Sequence, residues 1–115
     1  MKLQPLCPLA DIGELQSRGF DPERNGSDTV FVVRHGGILR VYENKCPHLL
    51  VPLEYRKNRF LSADGARIIC YAHGAQFRPE DGVCVYGPCL GERLRVLEHV
   101  EHEGWIWIAG ECGDT

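Results

Sequence analysis

The chain has no apolar run approaching the roughly 20 residues that a membrane-spanning helix requires, which excludes such a helix. Its opening segment, Met1-Lys2-Leu3-Gln4-Pro5-Leu6-Cys7, is followed by Asp11 and Glu14 and lacks the long apolar stretch of a secretion signal. A cytoplasmic protein is therefore expected. A basic surplus is also missing: 13 Lys and Arg face 16 Asp and Glu, for a net charge of −3. Phosphate binding needs a clustered basic surface, so nucleic acid is excluded as a partner. No internal repeat or low-complexity segment interrupts the 115 residues, and one domain over residues 1–115, without a linker, is expected. Helical periodicity is nearly absent. The single candidate helix, around Asp11 to Ser17, is too short to be stable on its own.

Strand signals are plentiful. Thr29 to His35 is rich in β-branched residues, Gly36-Gly37 follows, and Ile38 to Tyr42 comes next. Two such runs around a Gly-Gly turn predict a β-hairpin, because glycine enters positive-φ turn geometry without strain. Arg67 to Cys70 and Ala75 to Arg78 read as short strands flanking a loop. Pro79-Glu80-Asp81-Gly82 is a turn, with proline fixing φ and glycine allowing a positive one. Leu94 to Glu98 and Trp105 to Ala109 are expected to pair with each other through a turn at Glu101–Gly104. Short strands broken by Gly and Pro predict an all-β fold, a sandwich or barrel.

Six cysteines are many for so short a chain. In a cytosolic setting metal binding explains them better than disulfides do. Cys46-Pro47-His48 is followed, after 21 residues, by Cys70-Tyr71-Ala72-His73. Each half offers one thiolate and one imidazole at the tip of a loop leaving a strand. Such a Cys₂His₂ set suits either zinc or a Rieske-type [2Fe–2S] cluster. Zinc fingers normally place two Cys on one element and two His on a helix. Here the types alternate and no helix carries either half. A Rieske cluster needs one iron held by two Cys and the other by two His, which one Cys and one His from each loop would satisfy.

The succession Cys46-Pro47-His48, Cys70-Tyr71-Ala72-His73-Gly74-Ala75-Gln76-Phe77 and Asp81-Gly82-Val83-Cys84-Val85-Tyr86-Gly87-Pro88 resembles the Rieske ferredoxin family over about residues 28–109. The resemblance implies an antiparallel β architecture of three small sheets, with a two-loop cluster-binding subdomain at about residues 44–90. It implies that Cys46 and Cys70 hold the inner iron and His48 and His73 the outer one, and that Gly87-Pro88 is a third loop covering the cluster. Tyr71 stands where the family usually has proline, and no glycine follows His48, where one is common. In high-potential respiratory members a Ser and a Tyr hydroxyl donate toward the cluster sulfurs, at positions corresponding to Ala75 and Phe77. The disulfide that links the ligand loops in those members has no extra cysteine in the Cys46–Pro52 or Cys70–Phe77 segments to form it. The low end of the Rieske range, roughly −150 to 0 mV, is expected.

The implied role is that of a low-potential electron carrier, a ferredoxin rather than an enzyme, passing single electrons from a reductase to an oxygenase or other acceptor. Alternatives are a small Rieske subunit of a multi-component reductase or oxygenase, a cluster-based redox sensor, or a zinc-binding structural module. An oxygenase's mononuclear iron would need a separate domain, expected on another polypeptide. Among the remaining residues, Arg56, Lys57 and Arg59 read as a solvated basic loop or a docking patch for an acidic partner. Cys84 and Cys89 could form a local disulfide or act as redox-active thiols; small buried side chains near the third loop are expected instead. Cys7 and Cys112 are expected to be structural or incidental. His99 and His102, among Glu98, Glu101 and Glu103, are expected on a solvated acidic tip rather than in a second metal site. His35 is expected beside an exposed turn, and Trp105 and Trp107, two apart on one face of a strand, in the core.

Overall fold

A computed structural model describes residues 3–47, 50–54 and 56–109. Among the described residues ten strands run in the order β1 (Leu3–Pro8), β2 (Gln16–Phe20), β3 (Val30–His35), β4 (Ile38–Glu43), β5 (Ile68–Cys70), β6 (Ala75–Phe77), β7 (Cys84–Tyr86), β8 (Val96–Leu97), β9 (His99–His102) and β10 (Trp105–Ala109). They form three antiparallel sheets, ordered β1-β10-β9, β2-β3-β4-β8 and β5-β6-β7. The all-β expectation holds.

The four-stranded sheet lies between two apolar layers, and β3 shows why. Val30, Phe31, Val32 and Val33 are all buried. Successive strand side chains point to opposite faces, so Val30 and Val32 join Ile12, Val41, Ile106 and Ile108 in one core. Phe31 and Val33 join Tyr42, Leu53, Phe60, Phe77 and Leu94 in the other. Phe31 stacks on Phe60 with ring centroids 4.2 Å apart. The Tyr42 hydroxyl is buried here too and donates to the Pro79 carbonyl at 2.6 Å, which fixes the turn the sequence predicts at Pro79–Gly82. Gly82 has φ +74°, and a Cβ there would stand 2.9 Å from the Tyr42 ring.

The Gly-Gly hairpin forms as expected, with His35 opposite Ile38 and both glycines at positive φ, +64° and +78°. His35 itself is half-buried.

Three expectations need correction, and two strands were not expected. The segment from Asp11 to Ser17 is not a helix. A single 3₁₀ turn covers Leu9–Asp11, Leu15 turns the chain at φ +58°, and Ser17 already lies in β2. Leu94–Glu98 does not pair with Trp105–Ala109. Val96 and Leu97 extend the central sheet along β4, and the chain then crosses at Glu98 so that β9 pairs with β10. An unbroken strand-like run cannot reveal where a strand changes sheets. Trp105 and Trp107 do not face the core: Ile106 and Ile108 take the buried side of β10, leaving Trp105 40% exposed and Trp107 half-buried. Finally, β1 and β2 carry no strand signal in the sequence. Pro5 and Pro8 mask β1, and they are tolerated because β1 is an edge strand bulged between Pro5 and Cys7.

The Glu14 carboxylate accepts the N–H groups of Gly36 and Gly37, at 2.7 and 2.8 Å, across the hairpin turn. The Gly37 bond first and the Gly36 bond second hold its pKa below the ordinary carboxylate value. A depressed folded-state pKa contributes stability that is present above the unfolded value and lost as pH falls through the folded one. Glu14→Ala should therefore melt below the wild type at neutral pH, and the gap should close as the pH is taken below about 4. Melting curves followed by circular dichroism from pH 7 to pH 3 check this; a pH-independent gap would contradict it.

Candidate metal centre

Two loops at one end of the β5-β6-β7 sheet carry the sulfur and imidazole groups. The first leaves β4 at Asn44, a side chain only 3% exposed. Its Nδ2 donates to the Asp28 carbonyl at 2.9 Å and to Glu54 Oε1 at 2.8 Å, and its Oδ1 accepts the Leu53 N–H at 2.9 Å. One buried amide thus ties the loop's start to its end. Within it, the Cys46 N–H donates to the Val51 carbonyl (2.7 Å), and the Leu50 N–H donates to the Cys46 carbonyl (2.6 Å). Leu50 closes this turn at φ +60°, a left-handed conformation that favours glycine. That is the cost of lacking a glycine after His48.

The second loop joins β5 to β6. Cys70 ends β5 opposite Ala75, and Gly74, at φ +76°, turns the chain while its N–H donates to the Cys70 carbonyl at 2.7 Å. The Tyr71 N–H donates to the Leu53 carbonyl at 2.9 Å, so the second loop hangs on the end of the first. The Tyr71 hydroxyl donates to the Leu61 carbonyl at 2.7 Å.

These anchors converge on one point. Cys46 Sγ, Cys70 Sγ and a ring nitrogen of His73 all lie within 4.8 Å of one another, and Cys70 Sγ stands 3.7 Å from His73 Nδ1. Both cysteines are fully buried, and His73 is half-buried among the exposed Tyr71, Ala72 and Gly74. Burial, then the neighbouring Cys46 thiol, pushes the Cys70 thiol above its ordinary pKa, while the His73 and Ala72 N–H groups, directed at its sulfur, oppose the rise. Two sulfurs and an imidazole pressed together in an apolar wall are a donor set that fits a thiolate-binding metal centre. His48 lies outside the described residues. Among the described residues no other group of three His, Cys, Asp or Glu side chains comes together in this way.

A third loop, from Cys84 to Gly91, packs against the second. Gly87 lies there at φ +107°, and a Cβ on it would sit 2.8 Å from Ala75 Cα. The Gly-Pro segment therefore packs against the end of the second loop. Ala75 and Phe77 are fully buried beside the site, and neither side chain carries a donor. Cys84 and Cys89, both within the third loop, are buried, and burial followed by the Cys84 thiol pushes the Cys89 thiol up to about 12.

The other flagged residues stay away. Cys7 is buried in β1, in the core on the far side of the central sheet; Cys112 lies outside the described residues. His99 bonds only its neighbour across one residue, Glu101, at 3.0 Å on β9. Lys57 is engaged by Asp28 at 2.8 Å, which ties part of the basic loop to the protein itself. The sequence reading missed Asn44. An Asn at a strand end signals only a turn, and its partner Leu53, nine positions on, is invisible without the fold.

The family model for the Rieske [2Fe-2S] domain matches residues 3–101. Among solved structures, a complex of reduced oxygenase and oxidized ferredoxin in carbazole 1,9a-dioxygenase contains a chain 27% identical, with a TM-score of 0.71, over 94% of this chain and 93% of that one. The ferredoxin of carbazole 1,9a-dioxygenase from Nocardioides aromaticivorans IC177 is 23% identical (TM-score 0.70, covering 95% and 98%). The Sphingomonas yanoikuyae B1 ferredoxin is 22% identical (TM-score 0.71, covering 93% and 97%). No curated protein sequence matches significantly.

Asn44→Ala would strand the Leu53 N–H and the Asp28 carbonyl. Only the Leu53 N–H is buried, the Asp28 carbonyl being partly exposed, and at about 1–3 kcal/mol for a buried group left unsatisfied a loss of roughly 1–3 kcal/mol is expected. Urea unfolding measures it; a loss below about 0.5 kcal/mol, the usual size of an inconsequential surface change, would show that the amide does not hold the loop.

Proposed function

The chain belongs to the Rieske [2Fe-2S] domain family, and from that premise we propose that it is a low-potential ferredoxin, carrying single electrons from a reductase to an oxygenase. The convergence of Cys46, Cys70 and His73 on one point supports this reading most directly. The ferredoxin–oxygenase complex among its structural relatives supports the choice of acceptor. Cys46 and Cys70 would hold one iron; His73 and, from the Cys-Pro-His pattern, His48 would hold the other. Bound there, the cluster supplies reversible one-electron transfer.

The chain's own residues set the conditions. The fully buried side chains of Ala75, Phe77 and Cys89 keep water from the sulfur side. The Ala72 and His73 N–H groups directed at Cys70 Sγ disperse thiolate charge. His73 is half-buried at the rim, so a partner can approach on the imidazole side. Leu50, Tyr86 and Leu90 are 66%, 64% and 67% exposed on the first and third loops, an apolar rim suited to a transient redox encounter. We assign residues 1–115 to one Rieske domain, with about 44–90 as its cluster-binding part, because the three loops and the β5-β6-β7 sheet fall within that stretch. We also place the protein in the cytoplasm. Five buried cysteines are unpaired among the described residues, which fits a reducing compartment. No helix among these residues is long and apolar enough to cross a membrane.

Anaerobic purification and EPR of the reduced protein test the assignment. A rhombic signal with a low average g is expected; it should vanish in Cys46→Ser, Cys70→Ser, His48→Ala and His73→Ala and survive in Cys7→Ser. A colourless protein with stoichiometric zinc would overturn the reading. Stopped-flow reoxidation of the reduced protein by a Rieske dioxygenase tests the acceptor.

Without hydroxyl donors at Ala75 and Phe77 the reduced state gains little stabilisation. A midpoint of roughly −150 to 0 mV is expected, at the low end of the Rieske range. Ala75→Ser should raise it, since a hydroxyl beside Cys70 favours the more negative state. Protein-film voltammetry reads both values, and a midpoint above about +150 mV would defeat the low-potential assignment.

A further inference from the structure

The third loop contains a pair of thiols that the electron-transfer reading does not use. Cys89 Sγ and Cys84 Sγ are 3.3 Å apart, with the Cys89 thiol donating to Cys84 and the Cys84 thiol donating onward to the Tyr86 carbonyl at 3.2 Å. Both residues are buried, at 1% and 2% exposure. Their backbones are pinned to a common residue: the Cys84 N–H donates to the Glu92 carbonyl at 2.7 Å, and the Glu92 N–H donates to the Cys89 carbonyl at 2.9 Å. The sulfurs are therefore held together before any bond joins them. A disulfide needs an S–S distance of about 2 Å, so the two sulfurs must close by little more than 1 Å.

We propose that Cys84 and Cys89 are a redox-modification site at which hydrogen peroxide forms an intraloop disulfide. One thiol is oxidised by peroxide to a sulfenic acid, releasing one water. The sulfur of the second thiol then displaces a second water and closes the S–S bond. In total, two thiols and one peroxide yield one disulfide and two waters, with two electrons passing from sulfur to peroxide. Peroxide is small and uncharged, so burial does not exclude it, but the attacking species is the thiolate and burial holds the Cys89 thiol high, so the pair reacts slowly.

Position gives the bond its consequence. Gly87-Pro88 lies between the two cysteines, and Gly87 rests against Ala75 beside the metal centre. The disulfide closes the loop across that contact and holds it in place.

The test treats the cluster-loaded protein with stoichiometric hydrogen peroxide under anaerobic conditions, removes the oxidant with catalase, and then denatures and alkylates the chain. Fragment mass spectrometry should find Cys84 joined to Cys89, two of the six cysteines closed to alkylation, and full reversal by dithiothreitol. The visible absorbance of the cluster should persist while the link forms, and should bleach several-fold faster in Cys84→Ala. A link from Cys89 to Cys46, sulfinic or sulfonic acid at either residue without a link, or free Cys84 and Cys89 after the cluster has bleached would each overturn it. The wild-type mapping decides the matter even where Cys84→Ala fails to fold.

Discussion

Leu53 joins the loops that carry Cys46 and Cys70, and the convergence of Cys46, Cys70 and His73 depends on that junction. Its N–H donates to Asn44 Oδ1, its carbonyl accepts the Tyr71 N–H, and its side chain is fully buried. One residue therefore fixes the entrance and exit of the first loop and the position of the second. Buried backbone groups without partners are costly, so neither loop can drift without breaking bonds that have no water to replace them. The closeness of Cys46, Cys70 and His73 follows from this backbone arrangement more than from any attraction between the side chains themselves.

Around that junction the chain departs from the pattern of its family in a consistent direction. Leu50 occupies a left-handed turn without being glycine, Tyr71 replaces a proline and anchors itself to Leu61, and Ala75 and Phe77 line the site without donors. The loops are positioned by main-chain hydrogen bonds, and the side chains nearest the sulfurs are apolar. Such a site suits an electron relay working at low potential, because its surroundings do little to favour the reduced state.

The central sheet supports this end of the molecule from below. Because β3 is buried on both faces, the core that contains Phe31, Tyr42 and Leu94 reaches directly to Cys46, Cys70 and Cys84. Tyr42, held by its bond to Pro79, spans the distance between the sheet and the turn that leads into the third loop. The far core, with Cys7, Ile106 and Ile108, supports the other face and has no part in the site.

Short-range chemistry was readable from the residues alone. The Gly36-Gly37 hairpin, the turn at Gly82, and the closeness of Cys70 to His73 in the second loop depend on neighbours only a few positions apart. The same holds for the donor-poor Ala75 and Phe77. Long-range relations were not readable. The sheet that each of Leu97 and His99 joins, the outward turn of Trp105, and the 3.3 Å approach of Cys84 to Cys89 depend on packing between distant segments. So does the bond from Asn44 to Leu53. Alternation along a strand says that two faces exist, but only the neighbouring layers say which face is inside.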